Sequence, residues 1–159
     1  MNTHHKQVTV TVREWSAEVD EKLAPLIEEL WQAGVGTLQS CQHHSVTGKA
    51  WISFPTANDA ESFLNMVVGG GKQTGWARAE MQYFGQYEAT AKPLGKYDEE
   101  SRHHPAEWEF HAFVWDEAFG NGGEPNFWIG IAVLFPRRDL KPVLERVRTW
   151  NARQTAEAA

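Results

Sequence analysis

The sequence is poor in cysteine and has no long hydrophobic run. Cys41 is the only cysteine in 159 residues, so no internal disulfide can form, which fits a reducing compartment. No apolar stretch approaches the roughly 20 residues that a membrane-spanning helix needs. The N-terminal residues are polar and lead directly into a strand pattern, so we expect no signal peptide. These absences predict a cytoplasmic protein that does not enter the membrane.

Basic residues are also few. Lys and Arg number 15 against 21 Asp and Glu, and the formal net charge is −6. Such a charge repels polyanions at long range, which argues against nucleic acid or an anionic membrane as a partner. The chain also carries no nucleotide-binding, phosphate-binding or protease motif.

The rest of the composition is that of an ordinary globular protein, with 42% hydrophobic and 23% charged residues. A chain of this length can bury a core of useful size without help from a metal or a disulfide. We therefore expect residues 1–159 to form a single domain.

The first part of the chain predicts the order strand, helix, strand, strand, helix and strand. Valines alternate with threonines in the first strand, Gly34 stops the first helix, and Thr56 caps the second. This is the order of a ferredoxin-like split βαβ fold, which we predict as a core over 7–91. The six predicted elements lie at 8–12, 22–33, 37–42, 50–54, 57–68 and 79–90.

The remainder of the chain extends that core. A charged segment with two prolines, 92–106, predicts a flexible loop. Aromatic-rich strands at 107–115 and 127–135 predict an antiparallel hairpin, followed by a helix at 139–150 and a frayed tail at 151–159. The predicted fold is α+β: a ferredoxin-like two-layer sandwich with a mostly antiparallel sheet of about six strands and three helices on one face.

Cys41 and His43 are the first candidate site. They lie two residues apart, so on a continuing strand both side chains project from the same face. His43 could then lower the thiol pKa and assist a thiolate nucleophile, which makes both residues candidates for catalysis. Alternatively, Cys41 is a small buried side chain and the histidines belong to a solvent-exposed hairpin loop.

Metal binding is a further hypothesis. The chain offers enough nitrogen and sulfur donors for a tetrahedral zinc or another transition metal, provided that the 92–106 loop folds over the hairpin. Their spacing matches no known ligand pattern. The candidate ligands are Cys41, His43, His44, His103, His104 and His111.

The aromatic strand at 107–115 is the second candidate site. His111, Phe113 and Trp115 alternate along one face of this strand, while apolar residues also occupy the opposite face. One face should cover the core, so the face with these three residues is available to a second subunit or to an apolar or aromatic ligand. The alternative is that the 92–106 loop or the N-terminal segment covers it.

One stretch of the sequence carries a family resemblance. Thr37-Leu38-Gln39-Ser40-Cys41-Gln42 follows an amphipathic helix, and Ala50-Trp51-Ile52-Ser53-Phe54-Pro55 leads into a second helix with Asp59-Ala60 and Phe63-Leu64. Over 19–68 the chain resembles a group of small uncharacterised bacterial proteins. The resemblance implies the arrangement of helices and strands and no particular activity.

The sequence thus favours a small cytoplasmic binding or interaction module, a homodimer without an obligatory cofactor, that uses its aromatic sheet face as the contact surface. Its small-molecule or protein partner is open. The alternative is a metal-binding protein or a thiol-dependent enzyme centred on Cys41 and His43.

Overall fold

The protein is described by a computed structural model that covers residues 5–45, 47–68, 108–116 and 127–159. The predicted strand at 79–90 and the predicted loop at 92–106 lie outside these residues. So do His103 and His104.

Six strands and three α-helices occur in the described part of the chain, so the α+β class is confirmed. A short 3-10 helix, Arg137–Asp139, precedes the last helix. In chain order the elements are β1 (Gln7–Val12), β2 (Trp15–Asp20), α1 (Ala24–Gln32), β3 (Gln39–Cys41), β4 (Ala50–Phe54), α2 (Ala57–Val68), β5 (Glu109–Asp116), β6 (Phe127–Phe135) and α3 (Leu140–Ala158).

The six strands form two antiparallel sheets. β1 pairs with β2 alone, and the other four strands lie in the order β3-β4-β6-β5. The predicted hairpins β3–β4 and β5–β6 are confirmed. In the described residues the strands do not form the predicted single sheet, because β1 turns back on β2 instead of joining β4.

The pairing of β1 with β2 depends on a tight turn that the sequence analysis missed. Val12 lies opposite Trp15, so only Arg13 and Glu14 connect the strands. Arg13 adopts a positive φ of 54°, which two-residue hairpin turns require and which glycine or asparagine usually provides. Without such a residue the turn leaves little trace in the sequence.

The helix ends follow the local signals closely. Gly34 has φ 80°, and Val35 N–H donates to the Leu30 carbonyl at 2.9 Å, which closes α1 as expected of a glycine stop. Thr56 Oγ1 accepts the Asp59 N–H at 3.1 Å and so caps α2.

Helix α3 is longer than its apolar pattern predicts. It continues to Ala158, eight residues past the expected end at Trp150, so the predicted frayed tail is helical over most of its length. Asn151 Nδ2 donates to the Glu29 carbonyl at 2.9 Å, and Arg148 Nε reaches the Glu29 carboxylate at 3.0 Å. These bonds to α1 hold the helix where the apolar stripe has ended.

The core lies between the helices and one face of the four-stranded sheet. Phe63 from α2 stacks on Phe54 of β4, and Trp108 stacks on Phe135 of β6. Trp108 is buried, and its indole N–H donates to the Asp139 carboxylate at 2.9 Å. No helix in the described residues has the length and apolar character to cross a membrane.

Candidate metal centre

Three side chains from separate parts of the chain meet at the open end of the β1–β2 hairpin, opposite its turn. His5 precedes β1, Asp20 ends β2 and Cys41 ends β3. One donor atom from each, an imidazole nitrogen, a carboxylate oxygen and the thiol sulfur, lies within 4.8 Å of the other two. We call this group the Cys41 cluster.

Backbone pairing brings the members of the Cys41 cluster together. The Glu21 N–H donates to the Lys6 carbonyl at 2.9 Å, which extends the β1–β2 ladder by one pair and holds His5 beside the end of β2. The Gln42 N–H donates to Asp20 Oδ2 at 2.9 Å and ties the end of β3 to the same point. The site therefore depends on the hairpin that the sequence analysis did not predict.

Asp20 is buried, with only 4% of its surface exposed. Among the described residues no lysine, arginine or histidine forms a salt bridge with it. Burying a carboxylate without a cation is costly, and the hydrogen bonds from the Gln42 N–H and the Cys41 thiol offset only part of that cost. The Cys41 cluster therefore contains a buried carboxyl group without a cationic partner among the described residues.

The Cys41 thiol has a raised pKa. Partial burial is the main cause, and the neighbouring Asp20 carboxylate raises the pKa further by charge and by hydrogen bonding. A hydrogen bond from the His43 backbone works in the opposite direction but is outweighed. The free thiol is therefore protonated near neutral pH.

Gln42 connects the polar groups of the Cys41 cluster. The Lys22 N–H donates to Gln42 Oε1 at 3.1 Å, so the amide nitrogen of Gln42 points toward His5, where Nε2 lies 3.2 Å from Nδ1. With this amide orientation, Nδ1 of His5 is the acceptor. One glutamine thus orients His5 by its side chain and Asp20 by its backbone.

The other candidates near Cys41 lie outside the group of three. The His43 ring packs edge-on against His5 with a centroid separation of 6.2 Å. His44 instead packs against Trp51, and its Nδ1 lies 3.3 Å from Thr47 Oγ1 in the loop. His43 is therefore next to the Cys41 cluster, whereas His44 helps to shape the loop.

His111 belongs to a different polar group. Its Nε2 lies 3.1 Å from Glu109 Oε2, and Glu109 also pairs with Lys49. The Lys49 side chain is 1% exposed and that of Glu109 11%. Lys49 is thus buried and Glu109 half-buried. His111 is not among the side chains whose donor atoms meet at Cys41, so the two are not brought together as ligands.

The two faces of β5 near its end carry different kinds of apolar residue. Phe113 lies opposite Gly130, and a Cβ at position 130 would be 2.5 Å from its ring, so the ring rests on the glycine backbone. Trp115 lies opposite Trp128 in the ladder; its side chain is outside the described part. Val114 and Ile129, opposite each other on the other face, are each 66% exposed.

His5 and Asp20 are the ligand candidates that the sequence analysis missed. His5 lies in a polar segment with no periodicity, and Asp20 reads as an ordinary acidic residue before a helix. Donors 15 and 21 residues apart form no local motif. Only a prediction of the β1–β2 hairpin and its contact with β3 could have indicated them.

Comparisons with protein-family models, with curated proteins and with solved structures found no match.

Proposed function

We propose that the protein binds a divalent transition metal, zinc above all, through His5, Asp20 and Cys41. The observation that carries the proposal is the Cys41 cluster: three donors of different chemistry within 4.8 Å of one another, one of them a buried carboxylate with no cationic partner among the described residues. A bound cation would neutralise that carboxylate. Mixed nitrogen, oxygen and sulfur donors are ligands that zinc accepts readily.

The distances suit a site that tightens on binding. Bonds of about 2.0–2.3 Å place the ligand atoms of tetrahedral zinc about 3.3–3.8 Å apart. The donors of the Cys41 cluster would have to approach one another by about 1 Å. Three protein ligands leave a fourth position for water or for His43, whose ring already packs against His5.

The same geometry disfavours a thiol-dependent enzyme. A nucleophilic cysteine needs its thiolate, and such cysteines have lowered pKa values in electropositive surroundings. The pKa of Cys41 is raised, in part by the charge of the neighbouring Asp20 carboxylate. Zinc would displace the thiol proton, so metal binding uses the arrangement that would hinder a nucleophile.

The test is to measure zinc binding by the metal-free full chain, with isothermal titration calorimetry for the affinity and native mass spectrometry for the stoichiometry. We expect one zinc per chain and loss of binding in His5→Ala, Asp20→Asn and Cys41→Ser. His44→Asn is the matched control, since it removes a histidine of the same region whose ring contacts Trp51 and Thr47. Equal affinity in all four variants would refute the proposal.

Cobalt gives an independent spectroscopic test. Co²⁺ bound to a thiolate shows a sulfur-to-metal charge-transfer band, and we expect that band in the wild type but not in Cys41→Ser. If His43 supplies the fourth ligand, His43→Ala should weaken binding and change the visible d–d bands. If water does, His43→Ala should leave those bands unchanged.

A second candidate function is that of an interaction module, and one observation supports it. The exposed pair Val114 and Ile129 forms an apolar patch at the far end of the β5–β6 hairpin. Apolar patches of this kind favour a protein contact, including the homodimer expected from the sequence. His111, Phe113 and Trp115 on the opposite side of β5 remain proposed contact residues.

Sedimentation velocity tests the interaction module. A dimer that dissociates in Val114→Ser/Ile129→Ser would support the apolar patch, and one that dissociates in Phe113→Ala would support the predicted aromatic face. A monomer at all concentrations would remove the homodimer from consideration.

Three further sequence expectations remain proposals. The ferredoxin-like core depends on the strand predicted at 79–90, outside the described residues. The resemblance over 19–68 to small bacterial proteins supports a similar helix–strand arrangement there. The cytoplasmic location is supported by the presence of a single cysteine.

A further inference from the structure

Strand β1 has one unpaired edge among the described residues. The bond from Glu21 N–H to the Lys6 carbonyl makes that pair a hydrogen-bonded one. Hydrogen-bonded and non-hydrogen-bonded pairs alternate in an antiparallel ladder, so Val8, Val10 and Val12 direct their backbone groups toward β2. The N–H and C=O groups of Gln7, Thr9 and Thr11 therefore point to the opposite edge.

The described part of the chain provides no backbone partner at that edge. No backbone hydrogen bond from Gln7, Thr9 or Thr11 occurs outside the β1–β2 ladder. The strand carries no proline and no charged residue between Gln7 and Val12, the features that commonly protect an exposed edge. Such an edge is a template for a further strand.

A groove runs along this edge. It lies between β1 and the first turn of α1 and has a volume of about 450 Å³, within the usual range for ligand sites of roughly 300–1,000 Å³. Four consecutive residues of β1, 8–11, line one wall, while Ala24, Pro25 and Glu28 of α1 line the other. A wall made of consecutive strand residues is what a strand edge presents.

The charge of the groove distinguishes between occupants. Glu21 and Glu28 both line it. Glu21 is paired with Lys6, whereas Glu28 forms no ion pair with any described residue. A second copy of the chain, pairing β1 with β1 about a two-fold axis, would bring the same glutamates together and would be repelled. A basic segment would be attracted.

We propose that the protein binds an extended, basic peptide segment of a partner protein as an added strand on β1. The outward N–H and C=O groups of Gln7, Thr9 and Thr11 form the ladder, and Glu28 selects a lysine or arginine. Apolar side chains of the segment occupy the groove beside Pro25. This surface shares no residue with the Cys41 cluster, so either proposal can fail without the other.

Fluorescence anisotropy tests the proposal with the full chain and labelled ten-residue probe peptides. We expect saturable binding of a peptide that alternates Val and Lys, and at least tenfold weaker binding of one that alternates Val and Glu. A Val/Lys peptide N-methylated at alternate residues should also bind at least tenfold more weakly, because it cannot complete the ladder. Equal binding of the methylated peptide would overturn the proposal.

Charge-matched variants separate the groove from general attraction to an acidic protein. Glu28→Lys should weaken binding of the Val/Lys peptide at least tenfold. Glu157→Lys changes the net charge equally at the end of α3 and should alter binding by less than twofold. Equal losses in both variants would show that only net charge matters and would overturn the proposal.

The backbone contact has its own pair of variants. Thr9→Pro removes an outward N–H, a change that an edge strand can accommodate, and should abolish binding. Thr9→Val keeps the N–H and should retain binding. If Thr9→Pro instead converts a dimer into a monomer in sedimentation velocity, a second copy occupies the edge and the peptide proposal is wrong. Glu28→Lys decides the matter if Thr9→Pro does not fold.

Discussion

Two carboxylates with little solvent exposure, Glu109 and Asp20, have opposite surroundings in this protein. Glu109, at the start of β5, pairs with the buried ammonium of Lys49 and lies 3.1 Å from the His111 ring. Asp20, at the end of β2, is buried and faces a thiol and an imidazole. Among the described residues it has no cationic partner.

This difference distinguishes a carboxylate that already has a partner within the protein from a carboxylate that can still bind a ligand. The charge of Glu109 is neutralised within the protein, so the pair needs nothing more than its own geometry. Asp20 lies where water reaches it poorly, and two further side chains that can bind a metal surround it. We therefore expect Glu109 to contribute to stability and Asp20 to contribute to metal binding.

The largest expected effect is on the structural pair. Glu109→Gln leaves the Lys49 ammonium buried without its counter-ion, so we expect the free energy of unfolding to fall by about 3–5 kcal/mol. Urea denaturation measures it. The control Glu21→Gln breaks an exposed pair with Lys6 and should cost less than about 1 kcal/mol. A loss of similar size in both variants would remove the distinction between buried and exposed pairs.

Asp20 should respond in the opposite way. Without metal, Asp20→Asn removes a buried charge and keeps an oxygen for the Gln42 N–H, so we expect stability to rise by about 1–2 kcal/mol. Zinc at a hundred times its dissociation constant should stabilise the wild type by about 2.7 kcal/mol and the variant not at all. Thermal unfolding with and without zinc measures both. Destabilisation of the metal-free Asp20→Asn protein would contradict the comparison.

A smaller effect is expected from the residue that orients the ligands. Gln42→Ala removes the amide N–H that donates to Nδ1 of His5 and leaves all three ligands in place. That amide occupies the lone pair of Nδ1 and keeps the ring proton on Nε2, which opposes ligation through either nitrogen, so zinc affinity should rise by about tenfold. Calorimetry measures the affinity. The matched control is Gln39→Ala at the start of β3. The Gln39 side chain is exposed, so this variant should bind zinc as the wild type does. Equal affinities would assign Gln42 no positioning role.

The pH dependence of Cys41 gives the smallest and most local test. Because its pKa is raised in the folded protein, the rate of alkylation by iodoacetamide should rise only above the usual thiol pKa of about 8.5. Asp20→Asn should shift this profile to lower pH, since it removes a neighbouring negative charge. A profile centred below 8.5 would indicate a reactive thiol instead.

The same shift affects stability. The folded thiol keeps its proton at pH values where the unfolded thiol has lost it, so the contribution is present below the unfolded pKa and is lost as pH rises through the folded pKa. Relative to Cys41→Ser, the metal-free wild type should therefore lose stability above about pH 8.5. Urea denaturation at several pH values measures this difference. If the free energies of unfolding of the two proteins change equally with pH over this range, the raised pKa would be contradicted.

Strong local periodicity explains which elements the sequence predicted well. β4 and β6 have the predicted ends, Ala50–Phe54 and Phe127–Phe135, because both are short apolar runs with clear boundaries. The β1–β2 turn escaped prediction because arginine rarely adopts a positive φ. α3 extends beyond the end of its apolar pattern because hydrogen bonds to Glu29 replace apolar packing near Asn151.

The sequence by itself determined the local elements: the α+β class, three helices with their glycine and threonine signals, and the hairpins β3–β4 and β5–β6. These follow from side-chain periods and caps that act over a few residues. Only the tertiary structure decided that His5, Asp20 and Cys41 meet and that Lys49 and Glu109 pair inside the protein. Ligand distance and burial depend on contacts between residues far apart in the chain, and no local pattern records them.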